Sequence, residues 1–136
     1  VCSGGYVPEY GYASSGGALM NSYREYDESF WEHIDRLVLE SSVVIDRPKG
    51  SAHPKYGFMY PADYGYLVGT CSMDGGGIDV WRGTAEGVSA DAVICTVDMM
   101  KKDSEIKILI SCSEDEKRMI YEFHNQNCMR GLFVSR

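Results

Sequence analysis

The sequence predicts an α+β domain, mainly β, in which a small barrel follows one helix and precedes another. Three observations carry this. Short β-branched and apolar runs recur between glycine-containing turns. Two segments with helical periodicity each open on a Ser-x-x-Glu pattern. At 136 residues the chain has room for one core and not for two.

Residues 1–19 are rich in Gly, Ser and Tyr and show neither helical nor strand periodicity, so they read as a disordered leader. The domain is expected over residues 20–136. The first helix is placed from Ser29, where Glu32 reaches back to the Ser29 amide. Trp31, Ile34, Leu37, Val38 and Ser41 then fall on one stripe, while Glu32, Asp35, Arg36 and Glu40 face water. His33 reads as a surface residue of that helix. Val43, Val44 and Ile45 form a β-branched run that stops at Arg47-Pro48-Lys49-Gly50, a strand entering a turn. Further strands are expected over residues 58–60, 66–70, 78–81, 92–97 and 106–111. A second helix opens at Ser113 with Glu116 as its capping partner and buries Met119, Ile120 and Phe123. Residues 131–134 close the chain as a last strand.

Thirteen Lys and Arg against twenty Asp and Glu give a formal charge of −7. No basic surface is therefore expected to hold a nucleic-acid backbone, and a polyanionic ligand needs metal ions as mediators. The longest apolar runs, such as Ile108-Leu109-Ile110, are far short of the roughly 18 residues of a membrane span. Five scattered cysteines form no C-x-x-C pair, which fits a reduced, cytoplasmic setting without zinc. Residues 1–19 lack Lys and Arg and are broken by glycines, so they are not expected to act as an export signal. A homo-oligomer is compatible with the sequence and not fixed by it.

Two loops carry carboxylates at one spacing. Asp74 and Asp79 flank Gly75-Gly76-Gly77, and Asp98 and Asp103 flank the turn between two strand-like runs. Glycine permits positive φ, so the first loop can fold back and aim both carboxylates at one point. Four carboxylates converging from two loops would repel unless they share divalent cations, and hard oxygen donors with open water positions suit Mg²⁺. Aspartate is also favoured in turns for purely local reasons.

Just upstream stands Tyr60-Pro61-Ala62-Asp63-Tyr64-Gly65-Tyr66. Together with V-V-I-D-R-P-K-G-S-A-H-P-K-Y over residues 43–56, this ordered set resembles the soluble Mg²⁺-dependent inorganic pyrophosphatases. That family's signatures run E-I-P-K-G-S, K-Y-E, Y-P-x-N-Y-G, D-G-D-P-x-D and D-x-x-x-x-D. The resemblance spans residues 43–110 and implies a five-stranded OB-like barrel with flanking helices. It implies hydrolysis of pyrophosphate, or a related small phosphate, by a metal-activated water. Asp74, Asp79, Asp98 and Asp103 would be the Mg²⁺ ligands. Asp46, standing where the family has Glu, would support a metal-bound water. Tyr64 and Lys55 would meet phosphate beside Asp79, with Lys107 and His124 as further substrate contacts and Glu105 as an equal claimant to the position of Lys107.

The departures fall mostly on the substrate clamp. Gly76 replaces the middle aspartate of D-G-D-P-x-D, and Gly57 replaces the Glu after K-Y. The hairpin that carries a phosphate-binding Arg is missing, and Phe123-His124-Asn125 stands where the family has a Tyr-Lys pair. These changes imply weak turnover. The alternative is a non-catalytic or differently selective Mg²⁺ and phosphate- or nucleotide-binding relative.

Overall fold

The computed structural model describes residues 28–136, so the leader expected over residues 1–19 lies outside the described residues. The elements run α1 (Glu28–Leu39), β1 (Val43–Arg47), β2 (Asp63–Leu67), β3 (Ile78–Arg82), β4 (Ala90–Asp98), β5 (Asp103–Ile110), α2 (Glu114–Phe123) and β6 (Met129–Ser135). The fold is α+β and mainly β, as the sequence predicts. The sheet differs in detail from the five-stranded barrel that the resemblance implies. It has six strands in the order β1-β2-β3-β5-β4-β6, and β1 and β6 are its edges, so it stays open. All ladders are antiparallel except β3–β5, which is parallel.

Alternation along the strands gives the sheet two apolar faces, and a different helix packs on each. Leu67, Val80, Val93, Ile108 and Ile110 meet Trp31 and Val38 of α1, with Ile34 and Leu37 partly buried beside them. Trp81, Ala92, Ile94 and Leu109 meet Tyr60, Ala62 and Ile120 of α2 on the other face. Trp81, Leu109, Ile94 and Ile120 are wholly buried, each worth roughly 1.5–3 kcal/mol against exposure. The cover on the α1 face is partial, since Val97, Ile106 and Leu132 stay half or more exposed beyond the helix.

The α2 cap forms as its sequence dictates. Ser113 Oγ accepts from the Glu116 amide, and the Glu116 carboxylate accepts from the Ser113 amide at 2.8 Å. Glu116 also receives the Thr84 amide and hydroxyl, which ties the helix start to the loop after β3. At α1 the expected cap is displaced, because Glu28 is already helical and Ser29 lies inside the helix, where its carbonyl meets His33 Nδ1. Met119 is 36% exposed rather than buried, since the inner line of this ten-residue helix runs through Glu116 and Ile120.

Three strand expectations also shift, one of them the strand expected over residues 106–111, which begins earlier, at Asp103, and ends at Ile110. Residues 58–60 form no full strand but a short pairing with residues 50–53 around the Ala52–Met59 bridge, while the Phe58 and Tyr60 rings join an aromatic stack. The strand expected over residues 66–70 begins earlier, at Asp63, and ends at Leu67, where Thr70 Oγ1 bonds the Leu67 carbonyl and turns the chain. Gly65 is needed inside β2, since a Cβ there would collide with the Val44 carbonyl of β1.

Candidate functional site

Strand register puts the charged residues on the face that carries α2. Tyr64 is paired with Trp81, and Trp81 with Leu109. Side chains two positions apart share a face, so Asp79 lies beside Trp81, and Asp103, Glu105 and Lys107 lead up to Leu109. Asp98 joins the same row as the cross-strand partner of Asp103. The dry end of this face thus grades into a charged end along β5.

At the junction sits Lys107, only 3% exposed. Its Nζ donates to Asp79 Oδ2 at 2.7 Å, Glu105 Oε2 at 2.6 Å and Tyr64 Oη at 3.0 Å, and lies 5.5 Å from the centre of the Tyr64 ring. The Tyr64 hydroxyl donates in turn to Asp79 Oδ2 at 2.6 Å. Burial alone pulls the ammonium pKa down, but the oxygens of Tyr64, Asp79 and Glu105 outweigh it and leave the pKa above the ordinary lysine value. Lys107 is therefore charged. Tyr64 is pushed up by burial first and by Asp79 second, so its phenol stays protonated. One ammonium faces two carboxylates, and the floor of the site carries a net negative charge.

The other expected residues lie in several places. Asp74 is exposed and folds onto its own turn, its Oδ1 accepting from the Gly76 amide and Ser72 Oγ, and these bonds hold its carboxyl below the usual range. Asp98 likewise accepts from the amides of Met100 and Lys101 within its hairpin. Asp46 is exposed at the β1 bulge. Lys55 is exposed in the turn after His53, with its Nζ 5.3 Å from the Tyr56 ring centre. His124 is 2% exposed and sits in the core, where its Nε2 accepts from Trp81 Nε1 at 3.0 Å. That bond assigns the ring proton to Nδ1, which faces Met129 Sδ at 3.1 Å.

The carboxylate that shares Lys107 with Asp79 is Glu105, not Asp103. Its signal was the two-residue step to Lys107, which puts both side chains on one face of a strand. Of the residues expected to work together, the structure joins Asp79, Tyr64 and Lys107.

A resident Mg²⁺ does not fit this arrangement. Among the described residues no group of three or more His, Cys, Asp or Glu is placed to hold a metal ion. The two carboxylates that converge do so on an ammonium, which already occupies their shared point with charge-assisted hydrogen bonds of 2.7 and 2.6 Å.

An aromatic series leads from the loop after β1 into the core beside the acidic cluster. His53, Tyr56, Phe58, Tyr60, Tyr64 and Trp81 form a continuous series of ring contacts. The Tyr56 hydroxyl reaches Met100 Sδ at 3.4 Å, which links this loop to the β4–β5 hairpin. Burial lowers the His53 pKa, and the charges of Arg47, Lys101 and Lys55 lower it further, so three cations from three segments bear on one ring. Burial raises the Tyr60 pKa, and Arg47, Asp46, Lys107 and Asp79 all act on it, which joins the ring series and the floor around Tyr60.

Solved structures share this architecture. An inorganic pyrophosphatase from Thermus thermophilus matches with a TM-score of 0.54 at 17% identity, over 69% of this chain and 81% of that one. The chain has the inorganic pyrophosphatase fold. A second match, the inorganic pyrophosphatase of Helicobacter pylori, has a TM-score of 0.51 at 16% identity, over 71% of this chain and 85% of that one. No family model matches the sequence, and no curated protein does. At such identities the likeness extends to the fold and leaves the chemistry to the residues themselves. Among the described residues no helix is long and apolar enough to cross a membrane.

Proposed function

We propose that this face binds pyrophosphate, or a related small phosphate, as its magnesium complex, and hydrolyses the phosphoanhydride slowly. The observation that carries the reading is an acidic floor joined by a ring series to a group of cations. Asp79 and Glu105 outweigh Lys107 in the buried cluster, while Arg47, Lys55 and Lys101 all bear electrostatically on His53, which begins the ring series leading to Tyr64. A bare polyanion would be repelled by such a floor, whereas a ligand with a cationic end and an anionic end matches both. Mg²⁺ arriving with the substrate would supply charge neutralisation at the phosphate oxygens.

In this reading Lys55 holds the phosphate end of the ligand, and the Asp79–Glu105 floor, whose Lys107 and Tyr64 donors are already engaged with each other and with the carboxylates, faces the cationic end. Water attacks one phosphorus, the bridging P–O bond breaks, and the second phosphate leaves with the electron pair. Gly76 offers no carboxylate, and a missing general base costs on the order of 10²- to 10⁴-fold, so turnover is slow. Asp74, Asp98 and Asp103, at the turns that border the site, remain proposed contacts for cations that accompany phosphate, with Asp46 beside them. His124 is proposed to act on substrate only through the core it supports. A reducing, cytoplasmic setting belongs to the same proposal.

Phosphate release from pyrophosphate, with and without Mg²⁺ and beside nucleoside di- and triphosphates, tests the reading. Slow, Mg²⁺-dependent release that favours pyrophosphate is expected. Binding without release would favour the second reading, a phosphate-binding relative without turnover, for which the glycine at position 76 and the ammonium between the carboxylates both speak. Neither binding nor release would end both.

A further inference from the structure

Asp79 Oδ2, Glu105 Oε2 and Tyr64 Oη converge on one point from three different strand positions, and Lys107 Nζ fills that point. The geometry is that of a cation held by oxygens. The lysine arrives along β5 itself, two residues beyond Glu105, so its amine cannot diffuse away from the carboxylates. Its side chain is 4% exposed, against 13% for Glu105 and 27% for Asp79, so the ammonium is the most deeply set member of the cluster. A free divalent ion entering here must displace a buried ammonium that the fold delivers at a very high local concentration, and must leave that ammonium without its partners.

We infer that Lys107 is a built-in counter-ion that closes the Asp79–Glu105 site to free divalent cations, so that, on the proposed function, any metal at this site arrives already bound to phosphate. The inference deepens the proposed function, yet its test contains no phosphate and succeeds or fails apart from turnover.

Mn²⁺ is the probe, read by paramagnetic broadening of backbone amide signals in the described domain. In the wild-type chain the amides of Tyr64, Asp79 and Glu105 stay sharp through millimolar Mn²⁺. In Lys107→Met the same three amides broaden, at a half-saturating concentration at least about tenfold lower than any effect in the wild type, in line with removal of a competing charge. Adding Asp79→Asn to that variant abolishes the gain. Selective broadening of these amides in the wild type at the concentration that serves the variant overturns the inference, as does a folded Lys107→Met chain that gains nothing. Should Lys107→Met not fold, Lys107→Gln takes its place under the same criteria, and selective broadening of the wild-type amides refutes the inference in either case.

Discussion

Lys107 and His124 are two basic side chains buried to nearly the same depth, 3% and 2% exposed, on the same face of one sheet. One is charged and the other is neutral. The difference lies in what each neighbour offers. Lys107 meets two carboxylates and a phenol oxygen, enough to offset the cost of burying an ammonium. His124 meets a donating indole and a thioether and no carboxylate, and burial first and the charge of Lys107 second hold its pKa down at about 3. Burial alone does not make a functional group. Its partners decide whether it carries charge, and the charged end of this face is where chemistry is possible.

The largest effect that sharpens this contrast is the acid limb of stability. Above the unfolded histidine pKa of 6.5 both states hold His124 neutral, and its contribution is fully present. Between pH 6.5 and about 3 the unfolded chain takes up a proton that the folded chain refuses. Stability therefore falls as pH falls, by up to about 5 kcal/mol from this residue. Urea unfolding across that range should be steep in the wild type and flatter in His124→Phe.

Next comes Lys107→Met, which strips the two carboxylates of their counter-charge. Denaturant unfolding at neutral pH is expected to show a loss of about 3 kcal/mol, the low end for breaking a buried pair because Asp79 is 27% exposed. An unchanged midpoint would mean that the ammonium is not held there. Tyr64→Phe removes one donor to Asp79 and one acceptor from Lys107, and about 1 kcal/mol is the expected loss in the same assay. Smallest is Gly76→Asp. Gly76 is not in the left-handed region, but an added Cβ would press on the Asp74 carboxylate, 3.2 Å away at Oδ1, and bring a like charge beside it, so a small loss of under about 1 kcal/mol is expected. Phosphate release, in contrast, should rise, since the change restores a carboxylate beside Asp74.

Where local chemistry settles an element, it was legible in the sequence. Ser113 and Glu116 set the start of α2 because both halves of the cap lie within one turn. The β-branched run of β1 and the long apolar run of β5 were equally plain. Residues 58–60 misled because Phe58 and Tyr60 are as suited to a strand as to the ring stack that they join, and only tertiary contacts with Phe123 and Tyr64 decide between the two. The start of β2 was hidden behind Pro61. In the site, the motif spacing drew attention to Asp98 and Asp103 at the hairpin, whereas Glu105 lay outside the strand expected from residue 106 and its alternation with Lys107 shows only once β5 is seen to begin at Asp103. The fate of Lys107 and His124 was not legible at all, since it depends on partners more than 25 residues away in sequence, Asp79 for one and Trp81 for the other.

The most direct measurement of the central claim is calorimetric titration with methylenediphosphonate, a pyrophosphate analogue that resists hydrolysis, in the presence and absence of Mg²⁺. The account predicts saturable heat only when both are present, and little from either alone. Saturation of the wild-type site by Mg²⁺ alone, or no binding even with both, would contradict it.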